Sequence, residues 1–423
     1  NHACRKKLML PLKNTSFNML TLGYFAQGLA YLAVIAVPSL YFSQTQIGVL
    51  GIAISLQFIL SQLFGLGLHF SSLYYKSIAI SSSSNESYCT VSSKINVTLV
   101  STVFGLIFYF IFPFIINIYS NFNLDDFKIY LIASVILIAI NKVLLSELNA
   151  SKNFSLIGKL YLFKSFVLLL IISLIVFKKV DFKHYLIYQL VIPELLIYLF
   201  YLSKTMLEFL KIKEKFHLKY LKRDLVFGIK SIWGTIFFEA STKVDVLMLG
   251  VYVSPEKVGI YTIISMISDL FLNVSSVLRT FLNPDITMNF MNQRDNFVNF
   301  IKQKVILCYK ILVPFLILVV VLYLVATNFI SQILMYKVGT ISLIILTFFL
   351  ALTSGFIPLM LTFGQIGKPN QQSVTFFVFF VANLLLNMAL IPLFGIEGAS
   401  LATGLSYLIY VYLFRTLLFK LDR

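Results

Sequence analysis

Glu239 and Lys243 stand four residues apart in the apolar stretch SIWGTIFFEASTKVDVLMLG. In a helix that spacing puts both on one face, in the favourable acidic-first order. An ionisable side chain in such a stretch costs several kcal/mol when it faces lipid, so it belongs to a cavity or to a partner. Lys243 is therefore a candidate to bind an anionic substrate, with Glu239 as its partner or as a carboxylate that couples to a cation. The competing interpretation is a structural pair that neutralises itself. Asp245 falls off that face. Asp269 and Arg279 follow about three turns apart, and Ser265, Asp269 and Ser276 form a polar stripe. Asp269 is a candidate to exchange a cation, and Arg279 either binds anions or snorkels to the nearby interface.

The first half of the chain is milder. Tyr24, Gln27 and Tyr31 share one helix face, suited to hydrogen-bonding a headgroup or sugar, or to gluing helices together. Lys142 and Lys164 add positive charge, Glu147 lies close to an interface, and Glu194 follows Pro193 within an apolar run. Asn383 and Asn387, one turn apart, read as packing contacts, and His69 as a lone histidine near a span end. Cys4, Cys89 and Cys308 are widely separated, which gives neither a disulfide framework nor a zinc site. No G-x-x-x-x-G-K-[ST] sequence is present, so nucleotide-driven pumping is not indicated. No cofactor, metal or enzymatic chemistry is expected.

The elements that position these residues are legible from apolar length. Of 423 residues, 59% are hydrophobic and 12% charged; a soluble domain carries about 25% charged residues. A spanning helix needs about 20 apolar residues, and that window gives about twelve spans. They fall at 17–41, 46–70, 95–119, 128–148, 157–177, 184–204, 225–251, 257–283, 304–326, 339–363, 371–393 and 397–419. The expectation is an all-α polytopic membrane protein. The net charge is +17, and with an inside N-terminus the basic residues concentrate in the cytoplasmic loops. Lys178 and Lys179 are a local exception. Both termini are then cytoplasmic, and this distribution argues against nucleic-acid binding.

Ser43-Gln-Thr-Gln-Ile47-Gly48-Val49 recurs as Ser254-Pro-Glu-Lys-Val258-Gly259-Ile260, offset by 211 residues. Each copy sits at the first hairpin of a six-span half, so the repeat is parallel. Lobes 1–206 and 225–423 are joined by a basic linker, 207–224. The linker lies either on the anionic leaflet as an amphipathic helix or in solvent. Two such halves around a central cleft suit alternating access by a secondary transporter, and no channel-like filter is visible.

The stretch NLLLNMALIPLFGIEGASLATGLSYLIY, Asn383–Tyr410, resembles the polysaccharide-exporting branch of the multidrug/oligosaccharidyl-lipid/polysaccharide flippase superfamily, as in O-antigen flippases of lipopolysaccharide biosynthesis. The hairpin KVDVLMLGVYVSPEKVGIYTI, Lys243–Ile263, resembles it likewise. That resemblance implies a V of two six-helix lobes in the bacterial cytoplasmic (inner) membrane. It implies a flippase for undecaprenyl-pyrophosphate-linked oligosaccharide, driven by a sodium or proton gradient and working beside polysaccharide polymerase machinery. Lys243, Arg279, Lys142 and Lys164 would then hold phosphate, Tyr24, Gln27 and Tyr31 sugar, and Glu239, Asp269 and Glu194 the coupling cation. The alternatives are a multidrug exporter, a flippase for peptidoglycan or teichoic-acid precursors, and a non-transporting assembly protein.

Overall fold

In lipid no water satisfies a free N–H or C=O, so each apolar run must close its hydrogen bonds within itself. The computed structural model describes residues 15–81, 86–177, 180–209, 218–292, 296–329 and 338–420. Among them every regular element is helical. The basic N-terminus, Lys178 and Lys179, linker positions 210–217, Arg294 and Lys337 lie outside the described residues.

The first half contains α1 (Thr15–Ala36), α2 (Gln44–Gly65), α3 (Leu68–Ser81), α4 (Glu86–Ile118), α5 (Lys128–Ala150), α6 (Phe154–Val176) and α7 (Phe182–Phe209). The second contains α8 (Leu218–Ser241), α9 (Val244–Tyr252), α10 (Pro255–Asn292), α11 (Phe297–Phe329), α12 (Thr340–Thr353), α13 (Thr362–Gln365) and α14 (Pro369–Phe419). Nine helices among the described residues are long and apolar enough to cross a membrane, or ten when α12 and the bent segment after it count as one span. The outer faces of α4 and α11 present Phe110, Phe114, Leu318 and Leu322 outward, as lipid-facing helices must.

Several expected spans are interrupted, each for a local reason. The span expected at 46–70 ends at Gly65, where Leu66 and Gly67 turn through positive φ into α3. The span expected at 225–251 breaks at Thr242 and Lys243. There the Ser241 hydroxyl donates to the Phe237 carbonyl and the Thr242 hydroxyl to the Glu239 carbonyl, 2.7 and 2.8 Å, competing with the helical ladder. The expected span 339–363 bends by 58° after Thr353. In α14 the chain reverses at Gly395, φ 60° and ψ −127°. Its two arms lie side by side, with Phe379 against Tyr407 at 5.0 Å and Phe376 against Tyr410 at 6.2 Å between ring centroids. The Ile-Pro-x-x-Gly stretch is therefore a turn, between the spans expected at 371–393 and 397–419.

The 211-residue repeat has a physical meaning in the packing of α2 on α10. Ser43 caps α2 in a reciprocal box with Gln46, an arrangement that satisfies two otherwise unpaired N–H groups. Repeat-equivalent residues then meet each other across the contact. Thr45 donates to Glu256 at 3.1 Å, and Gly48 lies against Gly259 with no room for a Cβ on either. Such an atom on Gly48 would sit 2.3 Å from the Pro255 carbonyl oxygen, and on Gly259 2.0 Å from that of Gln44. Equivalent positions touching in this way place a local two-fold axis between α2 and α10.

At the other end of α2 a second set of contacts closes the bundle. Gly67 meets the backbone of Gly228, Tyr74 stacks on Phe227 at 4.8 Å, and Arg223 lies 3.7 Å from the Tyr75 ring centroid. Asp224 is buried here, bound by Asn96 at 2.8 Å and by Arg223. Its burial pushes its pKa up, against the opposing pull of Arg223 and Asn96.

A Gly48→Val substitution should lower stability by about 1–3 kcal/mol through overpacking. Gly65→Ala, whose new Cβ meets only Ala139 at an ordinary 3.7 Å, should be neutral. Thermal unfolding of the detergent-solubilised protein checks both. Equal melting temperatures for the two variants would contradict the close α2–α10 contact.

Candidate functional site

Between α1, α2, α5, α6 and α7 on one side and α8 and α10 on the other lies a cavity of about 410 Å³. It is lined by three lysines, Lys142, Lys164 and Lys243, and three carboxylates, Glu194, Glu239 and Asp269. Tyr24, Gln27 and Tyr31, which share a face of α1, line it together, joined by Gln57, Phe58, Ser61, Asn141 and Gln189.

Charges in such a place need partners, because desolvating each ion costs several kcal/mol. Lys164 of α6 forms a short ion pair with Glu194 of α7. The second Glu194 oxygen accepts from Asn141 of α5 at 2.8 Å, and Lys164 also lies 5.4 Å from the Tyr31 ring centroid. Pro193, inside α7, cannot donate to the preceding turn, and the Glu194 carbonyl accepts from the same Asn141 amide at 3.0 Å. In the other half Lys243 pairs with Asp269 of α10 at 2.5 Å.

That pairing differs from the expected partnership of Lys243 with Glu239. The four-residue spacing requires a continuous helix, and the break after Ser241 makes Lys243 the residue preceding α9 rather than a member of α8. Glu239 remains in the cavity with its Oε2 buried and without a hydrogen-bond partner among the described residues.

Lys142 stands apart. Its ammonium donates to Ser61 Oγ at 3.0 Å, and no salt bridge joins it to a carboxylate among the described residues. Arg279 also has no salt bridge among the described residues, and its Nε is buried without a hydrogen-bond partner. It does not line the cavity; its electrostatic neighbours are Tyr24, Tyr407 and Tyr410.

Three other expectations resolve into packing. Glu147 is buried away from the cavity, bonded by Tyr201 and near Lys94 at 3.7 Å. Asn383 donates to the Ser241 carbonyl and Asn387 to Asn383, both at 2.7 Å. His69 packs beside Phe70. Asp245 is enclosed, accepting from Tyr261 at 2.7 Å, the Val246 amide at 2.8 Å and Thr403 at 3.3 Å. No group of three or more His, Cys, Asp or Glu able to hold a metal occurs among the described residues.

Phe58, Ser61 and Asn141 belong to the site without having been singled out by sequence. Asn141 immediately precedes Lys142, and Phe58 and Ser61 share a turn of α2. A polar residue in an otherwise apolar window was the available signal for two of them; for Phe58 there was none.

No protein-family model matches the sequence, and no curated protein matches it significantly. Solved structures do match the fold. The lipid II flippase MurJ in an inward closed conformation superposes with a TM-score of 0.68 at 18% identity, covering 96% of this chain and 88% of that one. An inward-facing multidrug resistance MATE family transporter of the MOP superfamily gives 0.63 at 13%, with 96% and 95% covered. The Vibrio cholerae MATE transporter VcmN in its bent form gives 0.61 at 14%, with 96% and 97% covered. At these identities the similarity establishes the fold: an all-helical, multi-span membrane architecture shared with MOP-superfamily transporters.

Glu194→Gln should cost about 3–5 kcal/mol, because it strands the Lys164 charge in a buried site. The paired replacement Lys164→Met with Glu194→Leu should cost markedly less. A double-mutant cycle on unfolding free energies measures this, and a double variant as unstable as the two single losses combined would refute the coupling.

Proposed function

We propose that this chain is an alternating-access transporter of the bacterial inner membrane that moves a lipid-linked saccharide with an anionic headgroup from the cytoplasmic to the outer leaflet. The observation that carries the proposal is Lys142, a cation lining the cavity among apolar helices with no carboxylate in a salt bridge to it among the described residues. An ammonium in that position is costly unless an anion arrives to meet it.

The architecture we assign is twelve spans in two six-helix lobes, 1–206 and 225–423, joined by the basic linker 207–224. The count follows when α8 and α9 form one span, α12 and α13 another, and the two arms of α14 one each. The α2–α10 contact and the Gly67–Gly228 contact then close opposite ends of the cavity. Alternating access opens one while the other stays shut.

Undecaprenyl-pyrophosphate-linked oligosaccharide, the cargo that the resemblance implies, meets these requirements. A peptidoglycan-precursor cargo is the second reading, and the fold similarity to MurJ favours it. Lys142, Lys243 and Lys164 would serve the phosphates and Tyr24, Gln27 and Tyr31 the sugars. Arg279 would act beyond the Tyr24 end of the cavity. Of the coupling candidates Glu194, Asp269 and Glu239, we favour Glu239. The other two already hold lysines, whereas Glu239 has an oxygen without a partner.

The test follows leaflet exchange in reconstituted vesicles for both lipid-linked cargoes, with and without imposed sodium or proton gradients. Lys142→Gln should slow exchange by about tenfold or more, the loss expected of one charged hydrogen bond. Glu239→Gln should abolish the response to the gradient. Exchange that is equal with and without protein for both cargoes, alongside gradient-driven efflux of cationic drugs, would replace this reading with multidrug export.

A further inference from the structure

Phe58 sits on the cavity wall between the two halves of the molecule and remains 41% exposed. An apolar ring beside charged side chains is an economical floor for sugars, but its neighbours say more. Lys142 of α5 brings its ammonium to 5.9 Å from the ring centroid, and Lys243, at the α8–α9 break, brings its own to 5.6 Å. One ring thus lies within cation–π reach of two lysines contributed by opposite halves of the chain.

Its backbone fixes one of them as well. Ser61 donates to the Phe58 carbonyl at 2.8 Å, which leaves the hydroxyl oxygen to accept from Lys142 at 3.0 Å. The Lys142 head is therefore tied to the same turn of α2 that carries the ring. Helix α2 also packs on α5, α8 and α9, so Phe58 is held against both lysine-bearing elements.

We infer that Phe58 is a specificity-determining residue that holds Lys142 and Lys243 apart as a two-cation clamp for a diphosphate. This rests on the anionic-headgroup reading above and deepens it. Two ammonium groups repel each other, and without a spacer both could converge on a single phosphate. The ring lies 5.9 Å from one ammonium and 5.6 Å from the other and offers both a π surface. A monophosphate then reaches one lysine well and the other poorly. A diphosphate has a second phosphoryl group with which to reach the other. On the Lys243 side it competes with the Asp269 carboxylate for the ammonium, and on the Lys142 side it displaces nothing charged.

The test compares binding of polyprenyl diphosphate, polyprenyl monophosphate and inorganic pyrophosphate to purified wild type, Phe58→Leu and Phe58→Tyr. Wild type should prefer the diphosphate lipid over the monophosphate lipid. Phe58→Leu should reduce that preference by about fivefold, the size of one cation–π contact. Phe58→Tyr, which keeps the ring, should retain the preference. Inorganic pyrophosphate competing as well as the lipid would support the clamp and assign it to a soluble diphosphate; competition by the lipid alone would assign it to a headgroup. A wild type that binds both lipids with a ratio unchanged in Phe58→Leu would overturn the clamp while leaving the transporter reading intact. A wild type that binds none of the three ligands would overturn the anionic-headgroup reading itself.

Discussion

Desolvation of charge is the constraint on which the arrangement of this molecule depends. Lysines and carboxylates placed among apolar helices are costly to leave unpaired, and two pairs here are answered across a helix–helix boundary. Lys164 on α6 is answered by Glu194 on α7, and Lys243 at the α8–α9 break by Asp269 on α10. The answering residue in each pair belongs to another element, so the pairs fix helix orientation as well as neutralise charge. Asn141 extends the first pair to α5 by taking the remaining Glu194 oxygen.

The two halves meet in a different way. Where α2 crosses α10 the contact is backbone on backbone, made by Gly48 and Gly259, with Thr45 and Glu256 as its hydrogen bond. Where α3 meets α8 it is again glycine against glycine, reinforced by aromatic stacking and the Arg223–Asp224–Asn96 cluster. Charge pairs bind helices within each half, while close backbone contact and surface aromatics join the halves. Contacts of the second kind part without breaking a salt bridge, since Asp224 keeps Arg223 of its own helix when it leaves Asn96, which suits the opening proposed above.

Nine or ten apolar helices were readable because apolar length is a one-dimensional property, and Gly48 and Gly259, at one fixed offset, marked what proves to be the α2–α10 contact. The reversal at Gly395 falls in the gap between the spans expected at 371–393 and 397–419. The pairing of charges was not readable. Glu239 and Lys243 look like partners only if the helix continues between them, and the hydroxyl bonds of Ser241 and Thr242 that end it depend on local geometry. Lys164 and Glu194 are 30 residues apart, and nothing in their spacing brings them together. Arg279 has the right chemistry for the cavity but does not line it, and a sequence window does not resolve which face of a helix meets a cavity.

Three lysines and three carboxylates line the cavity, so its formal charge sums to zero, and this bears on the membrane voltage. A change of access that carries the cavity wall across the field moves no net protein charge. In the transport proposed above the field then acts on the cargo and on any coupling cation, at about 2.3 kcal/mol per elementary charge for each 100 mV. Under an interior-negative potential an anionic headgroup travelling outward would run with the field, and an unloaded protein would return without electrical work. A wall with an excess of lysines would cancel part of that drive on the outward stroke and recover it on the return.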